Sequence, residues 1–177
     1  MRLRLLMSSA TAAVALLAGS ASVVAARPHD DLAALRASTN QFHSIAVAEQ
    51  HGYALLTDAQ GVACIDEPGM GGMGVHWANS TLVGDPAIVS NHPEAVVYAP
   101  RRDGTLHVAA VEYVVLKQAW DASHPSPPRL FGQTFNFTDA PNRFGLPPYY
   151  SLHVWAWKRN PVGTFEMWNP RVTCPAG

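Results

Sequence analysis

The sequence predicts a single α+β domain in which one N-terminal helix packs on a curved, mainly antiparallel β-sheet. Apolar residues recur at helical spacing in one early segment of the 177-residue chain. After that segment, short runs rich in Val, Tyr and Trp alternate with Gly, Pro and Asn, which is typical of strands and turns. One helix and several short strands are most simply combined as a helix on a sheet.

The predicted helix lies between residues 30 and 51. An aspartate pair at Asp30 and Asp31 is a start signal, and Gly52 is a stop signal. The apolar residues at helical spacing are Leu32, Leu35, Phe42, Ile45 and Ala46. The pattern predicts one continuous helix over this segment.

The clearest strand signal is a hairpin formed by residues 94–98 and 105–116. The turn between them contains Asp103-Gly104, a pair that favours positive φ. Residues 151–158 are the last strong strand, and 53–56, 62–65, 75–77 and 131–137 are further strand candidates. Residues 69–74 form a predicted glycine-rich loop.

The first 26 residues have the layout of a secretory signal peptide. Arg2 and Arg4 precede an apolar run over residues 10–24, and Ala25 and Ala26 follow it. We therefore expect residues 27–177 to form the single globular domain of a secreted or periplasmic protein, with no membrane segment after cleavage.

Charge argues against a nucleic-acid partner or an anionic membrane surface. The formal net charge is −1, and Arg101-Arg102 and Lys158-Arg159 are the adjacent basic pairs. The remaining basic residues are scattered, so the sequence shows no stripe that could neutralise a phosphate backbone.

Two cysteines in an exported chain predict one disulfide. No third thiol competes with Cys64 and Cys174, and oxidising compartments favour the bond. Two separate buried thiols are the alternative. If the pair is oxidised, neither sulfur is a nucleophile.

Several motifs resemble a family of uncharacterised exported bacterial proteins. They are GMGGMGVHW at 69–77, PEAVVY at 93–98, LHVWAWKRNP at 152–161 and WNPRVTC at 168–174. The resemblance covers residues 35–174, with Trp77 at a position where tyrosine is expected. It implies an exported single domain and no particular chemistry, since the family has no known activity.

Strand parity places two histidines and a glutamate where they could converge. His76, Glu112 and His153 each occupy a mid-strand position. Two histidines and one carboxylate could hold a divalent metal, zinc or iron, with open positions for water. Alternatively, Glu112 pairs with a basic residue and each histidine bonds a backbone carbonyl.

Other patterns suggest competing chemistry. Met70, Met73 and His76 could bind monovalent copper, because thioether and imidazole ligands suit that ion. A pair among Glu94, Glu112 and Glu166 could cleave a glycoside if their spacing allowed it. The glycines at 69, 71 and 74 match a dinucleotide fingerprint, but the strand before them and the helix after them are lacking, so close approach or positive φ is the preferred interpretation.

Aromatic residues suggest a ligand-binding surface. In a strand over 151–158, Trp155 and Trp157 share a face with His153, and with Trp77 they could line a groove for a small molecule or a cell-envelope ligand. Burial in the core is the alternative for the same side chains. We therefore expect a ligand-binding or structural module centred on a His/Glu pocket, with a metal-dependent enzyme as the alternative.

Overall fold

The computed structural model describes residues 28–175, with side chains from residue 31 onward. The predicted signal peptide at 1–26 lies outside the described residues. Helices and antiparallel strands are combined in one mixed structure, which confirms the α+β class. The helices are α1 (Pro28–Thr39), α2 (Ile45–Gln50), α3 (Ser80–Gly84) and α4 (Lys117–Asp121).

The prediction of one continuous helix over 30–51 is wrong. A 3-10 turn at Asn40–His43 follows α1, and Ser44 is extended, with φ −99° and ψ 118°. The hydroxyls of Ser38 and Thr39 both donate to the Leu35 carbonyl oxygen, at 3.0 and 2.7 Å. Short polar side chains compete for backbone groups in this way, and a Ser-Thr-Asn run therefore favours a helix end over continuation.

The main sheet has seven strands in the order β1-β3-β4-β5-β9-β8, with β2 also paired to β3. All of its pairings are antiparallel. The strands are β1 (Ala54–Leu55), β2 (Cys64–Glu67), β3 (Gly71–Ala78), β4 (Ala95–Pro100), β5 (Leu106–Leu116), β8 (Asn136–Thr138) and β9 (Tyr149–Val154), and a separate hairpin pairs β6 (Arg129–Leu130) with β7 (Gln133–Thr134). The predicted 94–116 hairpin is confirmed as β4 and β5.

Alternation along the strands separates the two faces of the sheet. One cross-strand row contains Trp77, Val96, Val111 and Val154, all at most 7 % exposed. Their neighbours on this face form two apolar clusters, which also include Leu35 from α1 and Ala48 from α2. Burial of this apolar surface is the main favourable contribution to folding.

The opposite face is called the polar face below, because it carries ionisable side chains. Its cross-strand row contains Ala78, Ala95, Glu112 and His153. Next to it lies a smaller apolar cluster that contains Val97, Ala110 and Trp155 from the sheet region and Val172 from the C-terminal segment. Residues 159–175, called the C-terminal segment below, therefore pack against this face.

Glycines in β3 allow the C-terminal segment to approach the sheet. The predicted loop at 69–74 is in part a strand, because β3 begins at Gly71. Gly71 has φ +94°, and a Cβ there would overlap the Asn169 carbonyl. Gly72 exchanges backbone hydrogen bonds with Asn169 and donates to Val172 at 2.9 Å. Close approach of two backbones thus explains Gly71 and Gly72, and close approach is the interpretation expected for this glycine run.

The disulfide between Cys64 and Cys174 is present, with a Cα–Cα distance of 5.6 Å. It joins β2 to the end of the C-terminal segment, across a sequence separation of 110. Such bonds persist in oxidising compartments and are rare in the cytosol.

No helix among residues 28–175 is long and apolar enough to cross a membrane.

Candidate functional site

The structure brings His76, Glu112 and His153 together on the polar face of the sheet. Glu112 in β5 lies directly opposite His153 in β9, and His76 in β3 belongs to the next row of the same face. His76 Nε2 is 3.2 Å from Glu112 Oε2. The two imidazole ring centres are 5.9 Å apart, with the planes at 71°.

Both histidines are buried, while Glu112 retains access to solvent. His76 and His153 are each 2 % exposed, and the Glu112 side chain is 14 % exposed. His76 Nε2 faces the Glu112 carboxylate at 3.2 Å, whereas His76 Nδ1 and both ring nitrogens of His153 have no hydrogen-bond partner among the described residues. Buried polar atoms are nearly always satisfied, so three unsatisfied nitrogens in one place mark this cluster as unusual.

Burial and proximity shift the protonation of the cluster in a definite direction. Burial by itself would raise the pKa of Glu112, but the adjacent His76 ring contributes most to lowering it below its usual range, with smaller contributions from His153 and the Ser151 hydroxyl. Burial also lowers the pKa of His153 to about 4, although the Glu112 charge opposes this shift. At neutral pH Glu112 is therefore anionic and His153 is neutral.

Glu112 lies at the wall of a cavity of about 290 Å³, called the Glu112 pocket below. Its other lining residues are Glu67, Met73, Thr138, Asn142, Arg143, Phe144, Tyr149, Ser151, Met167 and Trp168. Five of these carry large apolar or aromatic side chains. This combination of apolar walls and a few polar groups is typical of small-molecule sites.

Several pocket residues were missed at the sequence level. Ser151 and Tyr149 lie at even spacing from His153 on β9, so strand parity could have placed them on the same face. Trp168 reaches the pocket from the C-terminal segment, and no local pattern in the sequence predicts that contact.

The predicted metal ligands converge without forming a coordination site in this arrangement. Within residues 28–175, no group of three or more His, Cys, Asp or Glu side chains is placed so that it could hold a metal ion. The two methionines proposed as copper ligands lie in different environments. Met70 is 51 % exposed, whereas Met73 is 6 % exposed and lines the Glu112 pocket.

The carboxylate pair expected for glycoside cleavage is not supported by the environments of its members. Glu94 is 2 % exposed and accepts a hydrogen bond from the Val114 amide at 3.1 Å. Burial raises its pKa to about 8. Glu166 is exposed on the C-terminal segment, and neither Glu94 nor Glu166 lines the Glu112 pocket.

The three tryptophans do not share one groove. Trp77 is buried in the core, 5.0 Å from the Tyr98 ring. The prediction that Trp155 and Trp157 share a strand face is wrong, because β9 ends at Val154. Trp155 packs in the apolar cluster on the polar face. Trp157 instead contacts the two apolar clusters on the other face of the sheet, and also the His43 ring. The two do border a separate cavity of about 430 Å³.

Comparisons with known proteins return no relative for this chain. No family model, no curated protein and no solved structure matches it significantly.

Proposed function

We propose that this protein is a ligand-binding module whose binding centre is the Glu112 pocket. The observation that carries the proposal is an ionised carboxylate in the wall of a cavity in which half of the other lining residues have large apolar or aromatic side chains. The buried His76 ring contacts Glu112 at 3.2 Å behind the pocket, and the cavity size suits a small ligand.

The charges around the pocket favour a ligand with a cationic or hydrogen-bond-donating group. Glu112 and Glu67 contribute two carboxylates to the lining. Arg143 also lines the pocket, but its guanidinium is 3.7 Å from the carboxylate of Asp58, which lies outside the pocket. An apolar body would contact Tyr149 and Trp168, and its cationic group would pair with Glu112. A charge-assisted hydrogen bond in such a site is stronger than a neutral one.

A matched series of probes tests this proposal. Benzylamine, benzyl alcohol and benzoate share a ring and differ in charge, and titration of each into the protein can be followed by calorimetry and NMR. We expect benzylamine to bind most tightly and Glu112→Gln to weaken its binding about tenfold. Glu49→Gln, at an exposed carboxylate on α2, is the control and should change nothing. Equal binding of benzoate, or an unchanged affinity in Glu112→Gln, would overturn the proposal.

A metal-dependent enzyme at the same cluster is the second candidate. It is supported by the three unsatisfied ring nitrogens beside a carboxylate, because imidazole nitrogens and carboxylate oxygens are ligands that suit zinc or iron. Binding would require the side chains to rearrange from their present positions. Elemental mass spectrometry of protein purified without a tag or chelator is the test. Stoichiometric metal that is lost in His153→Ala supports this candidate, and metal content unchanged by that substitution contradicts it.

We further propose that residues 1–26 are a signal peptide and that residues 27–177 form one exported domain of the family whose motifs the chain resembles. The disulfide supports an oxidising destination. The intact mass of the exported protein tests the cleavage site.

We also propose that α1 packs on the sheet. This is supported by the burial of Leu35 and by the 2.6 Å hydrogen bond that Arg36 Nε donates to the Ala156 carbonyl.

A further inference from the structure

A second cavity, of about 630 Å³, lies beside the turn of the β4–β5 hairpin and is called the basic cavity below. Its lining residues are Pro100, Arg101, Arg102, Gly104, His107, Lys158, Arg171, Thr173, Cys174 and Pro175. The lining therefore carries four permanent cations and no carboxylate, although the formal net charge of the whole chain is −1.

The four cations form no close ion pair with the described residues. In the part of the chain that the structure describes, no ion pair within 4.0 Å involves Arg101, Arg102, Lys158 or Arg171. Asp103 is the carboxylate of the same turn, and its oxygen accepts bonds from the Thr105 hydroxyl and amide at 2.6 and 3.0 Å. The cavity thus concentrates positive potential that attracts an anion.

His107 adds a polar atom that the protein leaves unsatisfied. Its Nδ1 is buried and has no hydrogen-bond partner among the described residues. Burial lowers the pKa of His107, and the charges of Lys158 and Arg101 lower it further. An anion bound between these cations would cancel their effect and provide the imidazole with an acceptor.

Hydrogen bonds order the backbone at three of the four cationic residues. The Arg101 amide donates to the Thr105 carbonyl at 2.8 Å, and the Lys158 amide donates to the Ala109 carbonyl at 2.9 Å. The Arg171 amide donates to Asn169 Oδ1 at 3.0 Å. Three separate segments are therefore anchored around one cavity, which lowers the cost of ordering a site when a ligand binds.

We propose that the basic cavity binds the phosphate group of a small organic phosphate. Guanidinium groups match phosphate oxygens in paired hydrogen bonds, and the number of cations suits a doubly charged group better than a single carboxylate. The cavity is larger than one oxyanion needs, so it has room for the organic part of the ligand. The site is independent of the Glu112 pocket.

Calorimetry at constant ionic strength tests the proposal with glycerol 3-phosphate, inorganic phosphate and uncharged glycerol as probes. We expect glycerol 3-phosphate to bind, glycerol not to bind, and Lys158→Gln or the double variant Arg101→Gln/Arg102→Gln to weaken binding about tenfold. Arg129→Gln is the matched control, because Arg129 is exposed and lies outside the cavity. A constant ionic strength removes general screening as the cause of any difference.

Two further measurements complete the test. The His107 ring protons, followed by NMR, should report a higher pKa when glycerol 3-phosphate is bound. Vesicles of phosphatidic acid, compared with phosphatidylcholine, distinguish a lipid phosphate from a soluble one. Binding of glycerol 3-phosphate or of phosphatidic acid vesicles that is lost in the variants supports the site. If neither binds, or if the variants bind as well as the wild type, the proposal is overturned.

Discussion

Removing the disulfide should destabilise the protein by several kcal/mol, and the loss should arise mainly in the unfolded state. The perturbation is the double variant Cys64→Ser/Cys174→Ser. The bond closes a loop with a sequence separation of 110, for which the chain-entropy relation gives about 4.8 kcal/mol. The C-terminal segment keeps its backbone bonds to Gly72 and the burial of Val172, so the folded state should persist.

The assay is urea denaturation followed by tryptophan fluorescence and circular dichroism. We expect the free energy of unfolding to fall by about 3 to 5 kcal/mol, and the melting temperature to fall by about 10 °C or more. We also expect the m-value to rise, because an unfolded chain without the bond exposes more surface. Wild-type protein reduced with dithiothreitol is the matched control, since it keeps both sulfur atoms.

A loss below about 1 kcal/mol in both the double serine variant and the reduced wild type would exclude loop closure as a major source of stability. A large loss at an unchanged m-value would also contradict it, because that result would assign the effect to folded-state contacts rather than to loop closure.

Three further predictions concern buried ionisable groups and the glycine contact. Because the folded pKa of Glu94 is raised to about 8, its contribution to stability is fully present below its ordinary pKa of 4.5 and is lost as pH rises through 8. Glu94→Gln should flatten that decline by about 4 kcal/mol in urea titrations at pH 5 to 9, and an equal slope in both proteins would contradict this assignment. Because the folded pKa of His153 is lowered to about 4, stability should fall as pH drops from 6.5 to 4, and His153→Gln should weaken that acid limb; an unchanged limb would exclude His153 as its source. Gly71→Ala should cost about 2 kcal/mol in thermal melts, because its positive φ and its contact with Asn169 both exclude a Cβ, and a neutral effect would show that the two backbones separate easily.

Local patterns predicted the β4–β5 hairpin well. Its turn contains Asp103 and Gly104, and Gly104 adopts φ +80° as such a turn requires. The opposite orientation of His76 relative to Trp77 also followed from strand alternation. Both predictions depend on residues that are close together in the sequence. Within a long regular strand, the alternation of side chains between the two faces is maintained from residue to residue.

The predictions that failed depended on where elements end. The end of β9 at Val154 is set by contacts from elsewhere: the Trp155 amide donates to Thr164, and the Trp157 amide donates to Ala109. Strand parity could not anticipate these bonds. The basic cavity was missed for a similar reason, because Arg101, Lys158 and Arg171 are far apart in the sequence and looked scattered.

Both proposed sites depend on the C-terminal segment, and this dependence connects them to the disulfide. Trp168 forms part of the Glu112 pocket, whereas Arg171 and Cys174 line the basic cavity. Because the bond at Cys174 anchors the end of that segment, freeing it should loosen the basic cavity more than the Glu112 pocket, which is nearer to the Gly72–Asn169 backbone pairing. In the double serine variant we therefore expect weaker binding of glycerol 3-phosphate at a temperature where the protein remains folded, with benzylamine binding less affected. Equal losses at both sites would indicate that the segment moves as one unit and that the backbone pairing to Gly72 does not hold it independently.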